Sequence, residues 1–170
     1  ASKSTPLIKQ AHHLKSVRVE CTLQGTYSKL FAILTNVSKF EDWIYHTRQS
    51  NLIKKNTPYD FLYYSEISMP WPLSNRDVVL HMNIKTDSLP KFLTITGRSE
   101  KNVLPELPSL VRVPHYLAKW KVTMPATNKI QISYILELDP GGSIPASIAN
   151  NFVDKGPFET FKNLSELLLK

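Results

Sequence analysis

The sequence contains a single cysteine, Cys21, and no long uninterrupted apolar run. One cysteine cannot form an internal disulfide and leaves no Cys cluster for zinc, so we expect Cys21 to be a small apolar core residue.

No apolar stretch approaches the ~20 residues that cross a bilayer, which excludes a transmembrane protein. The first residues lack the apolar region of a signal peptide, and the chain does not begin with Met. We therefore expect a soluble protein, cytoplasmic or, if an upstream signal peptide was removed, periplasmic.

Motifs of catalysis are also missing. The sequence has no Gly-rich phosphate loop, no His-Glu-x-x-His and no Gly-x-Ser-x-Gly elbow, so we expect no cofactor, no metal and no catalytic site. Lys and Arg number 21 against 14 Asp and Glu, a net charge of +7, but the cations are dispersed along the chain. This charge permits transient contact with an anionic membrane and argues against nucleic-acid binding, which needs clustered cations. The length of 170 residues favours one domain, which we expect to be a monomer.

Most of the chain has the alternating pattern of strands. Val17, Val19, Cys21 and Leu23 alternate with polar residues, Gly25 ends this strand, and short helices are expected between residues 26 and 43. Six further strands follow, separated by short turns that leave no room for crossover helices, so we expect an antiparallel meander. Their predicted ranges are residues 46–54, 59–69, 76–85, 92–98, 116–124 and 130–138.

The last part of the chain predicts one long helix. Ser143 is the expected N-cap and Pro145 lies in the first turn, where its missing N–H costs little. Gly156 and Pro157 interrupt the apolar stripe, so we expect them to kink the helix or to break it in two.

Such a helix can close a curved sheet over a solid core or over a cavity. Several Tyr and Trp residues on the inner faces of the strands favour a cavity, because their polar atoms need partners in a dry core. Residues 101–114 form a long connection that is rich in apolar side chains. Connections of this length are often lids, although the segment could equally fold back as a plug of core.

Three segments carry a family resemblance. Residues 69–77 (MPWPLSNRD), residues 139–145 (DPGGSIP) and residues 156–164 (GPFETFKNL) resemble, in the same order, segments of START domains, the steroidogenic-acute-regulatory-related lipid-transfer family, in its bacterial form. The likeness covers about residues 16–169. It divides the chain into a START-like domain at residues 16–170 and an N-terminal extension, or an incomplete start of the domain, at residues 1–15.

The resemblance implies an α+β helix-grip fold. About seven antiparallel strands would curve around the C-terminal helix and enclose a tunnel for one lipid or other apolar molecule. Arg76 would contact the ligand or, as the favoured alternative, fix the turn at residues 70–75 through carboxylate or carbonyl contacts. Sterol-binding relatives carry a buried acid–arginine pair, and the matching positions here are the uncharged Tyr63 and Met82. This difference argues against a sterol and makes the Tyr63 hydroxyl a candidate contact for a ligand's polar end.

The expected function is to bind, and possibly transfer, one apolar molecule without covalent chemistry, and the alternative is a cyclase or aromatase of the same superfamily. Tyr134 and Trp120 would help Tyr63 to orient the ligand. The complete set of expected ligand contacts is Tyr63, Ile67, Trp71, Arg76, Val78, Leu80, Met82, Tyr116, Trp120, Tyr134, Leu136, Phe152, Phe158 and Phe161. The expected lid residues are Leu104, Leu107, Leu110 and Val111.

Overall fold

The computed structural model describes residues 14–87 and 92–170. Its elements in chain order are β1 (Lys15–Gln24), α1 (Tyr27–Thr35), a 3-10 helix (Val37–Asp42), β2 (Thr47–Thr57), β3 (Asp60–Ile67), β4 (Arg76–Thr86), β5 (Phe92–Ser99), β6 (Val111–Arg112), β7 (His115–Ala126), β8 (Lys129–Asp139) and α2 (Ala146–Leu169). Every predicted strand is present. The expected extension at residues 1–15 falls almost wholly outside the described residues, as does most of the turn expected at residues 87–90.

The sheet follows the predicted meander. Its strand order is β1-β8-β7-β5-β4-β3-β2, and each of these neighbouring pairs is antiparallel. β1 pairs with β8 on the side that faces away from β7. As a result, β1 and β2 form the two edges of the sheet. Inward residues of β1 alternate with exposed ones as the sequence pattern predicts. The structure is thus the expected helix-grip fold, with one strand more than the seven predicted.

The additional strand is β6, which lies within the connection expected to lack strand structure. Val111 and Arg112 pair in parallel with Arg76 and Asp77 at the start of β4. β5 pairs with β4 only from Leu80 onward, so the first residues of β4 would otherwise have no neighbour on that side. Two residues are too short for periodicity to reveal, and their pairing depends on a partner distant in sequence.

α1 begins as predicted at Thr26, whose side-chain oxygen accepts a hydrogen bond from the Lys29 amide at 3.3 Å. The long helix differs from the prediction at its start. Its N-cap is Pro145, whose side chain offers no capping hydrogen bond, and Ser143 lies outside the helix. The predicted cap was wrong because Gly141 and Gly142 adopt positive φ and the chain stays non-helical as far as Pro145.

α2 remains one continuous helix of 24 residues, about 36 Å long at ~1.5 Å per residue. Pro157 is tolerated inside it, and the expected break into two helices does not occur. The buried residues repeat at helical spacing on the side that faces the sheet. They are Ala149, Val153, Gly156, Pro157, Phe161, Leu164 and Leu168.

Arg76 connects two turns at one end of the fold. Its guanidinium donates hydrogen bonds to the carbonyl oxygens of Ser74, Pro140 and Gly141. Gly142 has a φ of +65°, and a Cβ atom there would lie 2.9 Å from Arg76 Nη2, so this position requires glycine. Of the two roles weighed for Arg76, these contacts support fixing the turns.

Candidate functional site

An internal cavity of about 130 Å³ lies between the inner face of the sheet and α2. Strands β3, β4, β5, β7 and β8, the segment from α1 to β2, and the middle of α2 contribute its walls. The lining residues are Leu34, Phe40, Trp43, Ile44, Tyr45, Thr47, Tyr63, Ser65, Ile67, Val78, Leu80, Met82, Ile95, Gly97, Tyr116, Ala118, Trp120, Tyr134, Leu136, Leu138, Phe152, Gly156, Pro157, Thr160 and Phe161. A cavity of ~150 Å³ holds benzene, so this space admits a compact organic molecule.

The structure brings most of the expected contact residues to this wall. Alternate residues of a strand lie on the same face of the sheet. The expected contacts on β3, β4, β7 and β8 were chosen by this rule, and they lie on the inward face. The expected contacts that line the cavity are Tyr63, Ile67, Val78, Leu80, Met82, Tyr116, Trp120, Tyr134, Leu136, Phe152 and Phe161.

Three expected contacts lie elsewhere. Trp71 projects from the turn between β3 and β4 and is 93% exposed. Phe158 is 66% exposed because it follows Pro157 by one residue, about 100° around the helix from the cavity side. Arg76 lies on the inward side of β4, but at the end of the strand, and its donors are taken by the turn carbonyls. None of the three lines this cavity, and their role as ligand contacts stays a prediction.

The four expected lid residues do not line the cavity. Leu104 borders a separate surface depression, Leu107 is 49% exposed, and Val111 belongs to β6. Arg112 fastens this connection by donating to the carbonyl oxygens of Leu104 and Pro105.

Arg112 also binds Asp77, whose side chain is 1% exposed. Its Nε lies 2.7 Å from Asp77 Oδ1 and its Nη2 lies 3.2 Å from Oδ2, a bidentate ion pair. The Tyr64 hydroxyl donates to the same carboxylate at 3.2 Å. Burial and the Asp77 charge raise the pKa of Tyr64 to about 12. This cluster secures the base of the connection to β4, outside the cavity.

The main part of the site that the sequence did not reveal is the segment between α1 and β2. Trp43, Ile44 and Tyr45 form part of the cavity wall, and none of them was among the expected ligand contacts. The segment has no regular period, so periodicity cannot tell which of its side chains face inward. The Tyr45 amide donates to Thr160 Oγ1 of α2 at 3.0 Å, which joins the segment to the helix.

Three tyrosines supply polar groups at the wall. Burial raises the pKa of Tyr116 and holds the pKa values of Tyr63 and Tyr134 well above the ordinary range. The side-chain hydroxyls of Tyr116 and Tyr134 are hydrogen-bonded to each other. Phe161 packs edge-on against Trp120 and Tyr134, with ring centroids 5.0 and 5.1 Å apart. The hydroxyls therefore stay uncharged near neutral pH in an aromatic surrounding.

The cavity wall is also free of formal charge. No Asp, Glu, Lys, Arg or His lines it within residues 14–87 and 92–170. Over the same residues, no group of three or more His, Cys, Asp or Glu side chains is arranged to hold a metal ion. Among the helices described, none has both the length and the apolar character needed to span a bilayer.

An antiparallel sheet that grips one long helix around an uncharged apolar cavity defines a helix-grip protein of the kind that binds hydrophobic ligands. The family model of the START domain matches residues 2–169. The chain belongs to the START domain family.

The individual relatives are consistent with this membership. An uncharacterised protein of Pseudomonas aeruginosa is 30% identical over 156 residues, which span 91% of this chain and 76% of that protein. The crystal structure of a STAR-related lipid transfer protein from Xanthomonas axonopodis superposes with a TM-score of 0.81 at 29% identity, covering 91% of this chain and 86% of that one.

More distant structures share the fold. Human StAR-related lipid transfer protein 5 has a TM-score of 0.75 at 15% identity, over 91% of this chain and 75% of that chain. An aromatase/cyclase from Streptomyces has a TM-score of 0.63 at 10% identity, over 92% of both chains. An aromatase/cyclase and a lipid transfer protein thus share the fold of this chain.

Proposed function

We propose that this protein binds one apolar molecule, or the apolar part of a lipid, in the cavity beneath α2 and transfers it without covalent chemistry. The observation that carries this proposal is the cavity itself, which is apolar, uncharged and about 130 Å³ in volume. Each CH₂ group that leaves water for such a surface gains ~0.8 kcal/mol, so contact area alone supplies several kcal/mol of affinity. Tyr63, Tyr134 and Trp120 would orient the polar end of the ligand.

Gly97 offers a direct test. It lies on the cavity wall in β5, and a Cβ atom built there meets no atom within 4 Å. Gly97→Val therefore adds a side chain whose Cβ atom lies in open space at the cavity wall. Because valine favours strands and restricts the unfolded chain, we expect the free energy of unfolding to rise by about 0.5–1 kcal/mol.

The probe for this test is N-phenyl-1-naphthylamine, an uncharged dye whose fluorescence rises in apolar surroundings. We expect wild type to bind it and Gly97→Val to bind it at least tenfold more weakly. Thr96→Val, on the opposite face of the same strand, is the matched control and should bind like wild type. A stable Gly97→Val protein with unchanged dye affinity would overturn the proposal.

A volume of 130 Å³ is smaller than a two-chain lipid and smaller than the naphthylamine dye, so uptake of either requires the cavity to open. We propose that α2 bends at Gly156 and Pro157, with the connection at residues 101–114 moving relative to this part of the helix. Pro157 lacks the N–H that would bond one turn earlier, which weakens the helix at this point. Arg112 holds the base of the connection, so the larger movement falls to the helix.

Loading from a membrane is supported by Trp71. This side chain is 93% exposed between Pro70 and Pro72, and tryptophan favours the interface between water and lipid. The net charge of +7 adds a weak attraction to anionic lipid. We expect Trp71→Ala to reduce cosedimentation with vesicles of phosphatidylcholine and phosphatidylglycerol, while the control Leu52→Ala, at the edge strand β2, does not. Equal cosedimentation of wild type and Trp71→Ala would remove Trp71 from the loading step.

A cyclase or aromatase reaction is the second candidate function, and the tyrosine hydroxyls on the wall are the observation that favours it. Candidate groups for such chemistry are Tyr63, Tyr134 and Arg76, of which Arg76 does not line the cavity. Tyrosines with raised pKa values stay protonated near neutral pH and are weak acids, so the geometry supports binding better. If the protein cyclised or aromatised a bound substrate and Tyr63→Phe abolished turnover but not binding, the enzymatic function would replace the first proposal.

A further inference from the structure

A second, smaller space lies next to the main cavity, beneath the first turns of α2. Its volume is about 20 Å³, slightly more than one water molecule needs. Ile67, Leu138 and Phe152 line both this space and the main cavity. One layer of side chains therefore separates two neighbouring compartments.

The compartments follow one another along the strands of the sheet. On β3, Ile67 borders both spaces, and the next inward residues, Ser65 and Tyr63, line the main cavity. On β8, Leu138 borders both spaces and Leu136 lines the main cavity. Because inward residues advance about 6.6 Å with each step of two, the spaces lie end to end along the strand direction.

α2 covers the compartments in the same order. Ala149 and Val153 border the smaller space, Phe152 borders both, and Gly156 and Phe161 line the main cavity. From Ala149 to Phe161 the helix rises about 18 Å, at ~1.5 Å per residue. An interior of this shape suits an elongated molecule that lies along the helix better than it suits a broad one.

Phe152 is the aromatic part of the partition between the compartments. Its half-buried ring packs edge-on against Tyr45 and His46, with ring centroids 5.7 and 5.4 Å apart. These contacts join the ring to the segment before β2 and hold it in place. A chain that extends along α2 from the main cavity toward the smaller space therefore meets this ring.

The smaller space restricts the chemistry of that end of the ligand. Within the described residues, its surface is entirely apolar. Lys15 and Arg76 border it, so they do so with the carbon atoms of their side chains. The Arg76 guanidinium is directed to the turn carbonyls instead. The ligand end that points toward this space is therefore hydrocarbon, because a polar or charged group would lose its hydration there without gaining a partner.

We propose that Phe152 determines the length of the ligand, and that the ligand is a single unbranched hydrocarbon chain that lies along α2 with its apolar end toward Phe152. This inference rests on the proposed binding function and adds the shape of the ligand and the residue that limits its length. The main cavity is close in volume to the ~150 Å³ that holds benzene, so the limit is about six to eight carbon atoms.

A series of 1-alkanols tests this limit: 1-butanol, 1-hexanol, 1-octanol and 1-decanol, with affinities measured by isothermal titration calorimetry. In wild type we expect the affinity to rise about fourfold per CH₂ group up to the limit and less than about twofold per CH₂ group beyond it. Phe152→Ala joins the compartments, so the fourfold rise should continue to 1-decanol. The ratio of the 1-decanol affinity to the 1-hexanol affinity should then be at least about fourfold larger than in wild type.

Phe158→Ala is the matched control, because it removes an aromatic ring from the exposed side of the same helix and should keep the wild-type ratio. Addition of Ala149→Leu to Phe152→Ala fills the smaller space and should restore the wild-type ratio. Wild-type protein provides a measurement that needs no variant to fold. On addition of 1-hexanol, the methyl resonances of Val78 and Leu80 should shift, and that of Ala149 should shift far less.

The outcomes separate the two proposals. If wild type and Phe152→Ala give the same ratio, or if wild-type affinity rises fourfold per CH₂ group through 1-decanol, the length proposal is wrong and apolar binding stands. A ratio that stays high after Ala149→Leu would place the added chain outside the smaller space, and equal shifts of Ala149 and Val78 would show that Phe152 is no partition. Either result overturns the length proposal. If no alcohol binds and N-phenyl-1-naphthylamine does not bind to wild type, the proposed binding function fails instead.

Discussion

Asn163 of α2 donates a hydrogen bond across the fold to the carbonyl oxygen of Trp43, with Nδ2 and O 3.0 Å apart. The two residues are 120 positions apart in the chain, and the bond joins the C-terminal helix to the segment that completes the cavity wall. Three residues earlier on the helix, Thr160 accepts from the Tyr45 amide. These two contacts fix the Trp43 side of the cavity to the helix that covers it.

Replacement of Asn163 by alanine should destabilise the protein and loosen this wall. The Trp43 carbonyl would lose its partner in a partly buried position, so we expect the free energy of unfolding to fall by about 1–2 kcal/mol. Urea denaturation measures this change. Lys162→Ala, at an exposed neighbouring position, is the control and should change stability by less than about 0.5 kcal/mol. Equal effects of the two substitutions would mean that the hydrogen bond contributes nothing.

Replacement of Arg112 by methionine should be far more damaging. It leaves the Asp77 carboxylate buried with the Tyr64 hydroxyl as its one remaining partner among the described residues, and breaking a buried pair in this way costs about 3–5 kcal/mol. The double variant with Asp77→Asn removes the unpaired charge and should recover part of the loss. Arg98→Met disrupts the exposed pair with Glu100, at 3.8 Å, and should cost at most about 1 kcal/mol. Similar losses for Arg98→Met and Arg112→Met would contradict the prediction.

Stability should depend on alkaline pH through the buried tyrosines. Burial holds the pKa values of Tyr63 and Tyr134 well above the ordinary value near 10, so an unfolded chain loses these protons at lower pH than the folded protein does. Their contribution to stability is fully present below about pH 10. It decreases as pH rises from there toward the folded pKa, by up to about 1.4 kcal/mol per pH unit for each group.

Urea denaturation of wild type and Tyr63→Phe between pH 7 and pH 11 tests this dependence. The difference in free energy of unfolding between the two proteins should stay constant up to about pH 9, and this plateau is the internal control. Above about pH 10 the wild type should lose stability faster than Tyr63→Phe. If the free energies of unfolding of the two proteins changed in parallel from pH 7 to pH 11, the pKa of Tyr63 would not be raised in the folded protein.

Replacement of Gly156 by alanine should stiffen α2 at the proposed hinge. The added Cβ atom would lie 3.4 Å from Tyr45 Cδ1, an ordinary contact, and alanine favours the helix by about 0.5–1 kcal/mol. We expect higher stability in urea together with slower release of N-phenyl-1-naphthylamine in stopped-flow measurements. Asn151→Ala, at an exposed position of the same helix, should stabilise the helix without slowing release. An unchanged release rate in Gly156→Ala would argue against bending at this point.

Periodicity predicted the strands and the long helix because each of these elements presents one face to the core. The same rule located Tyr63, Leu80 and Trp120 on the inner face, since residues two apart in a strand share a side. It failed at Trp71 and Phe158, where an apolar residue suggested burial but the turn and the helix rotation expose the side chain. Burial at such positions depends on the direction of the backbone, which composition does not reveal.

The sequence by itself determined the order of the strands and helices, the antiparallel arrangement of the sheet and the apolar, uncharged character of its inner face. These properties follow from local spacing and side-chain polarity. Only the tertiary structure decided that space remains beneath α2, that Trp43 belongs to its wall and that Arg112 reaches Asp77. These relationships join residues far apart in the chain, and the size of a cavity depends on packing to within a methylene group, which no local pattern encodes.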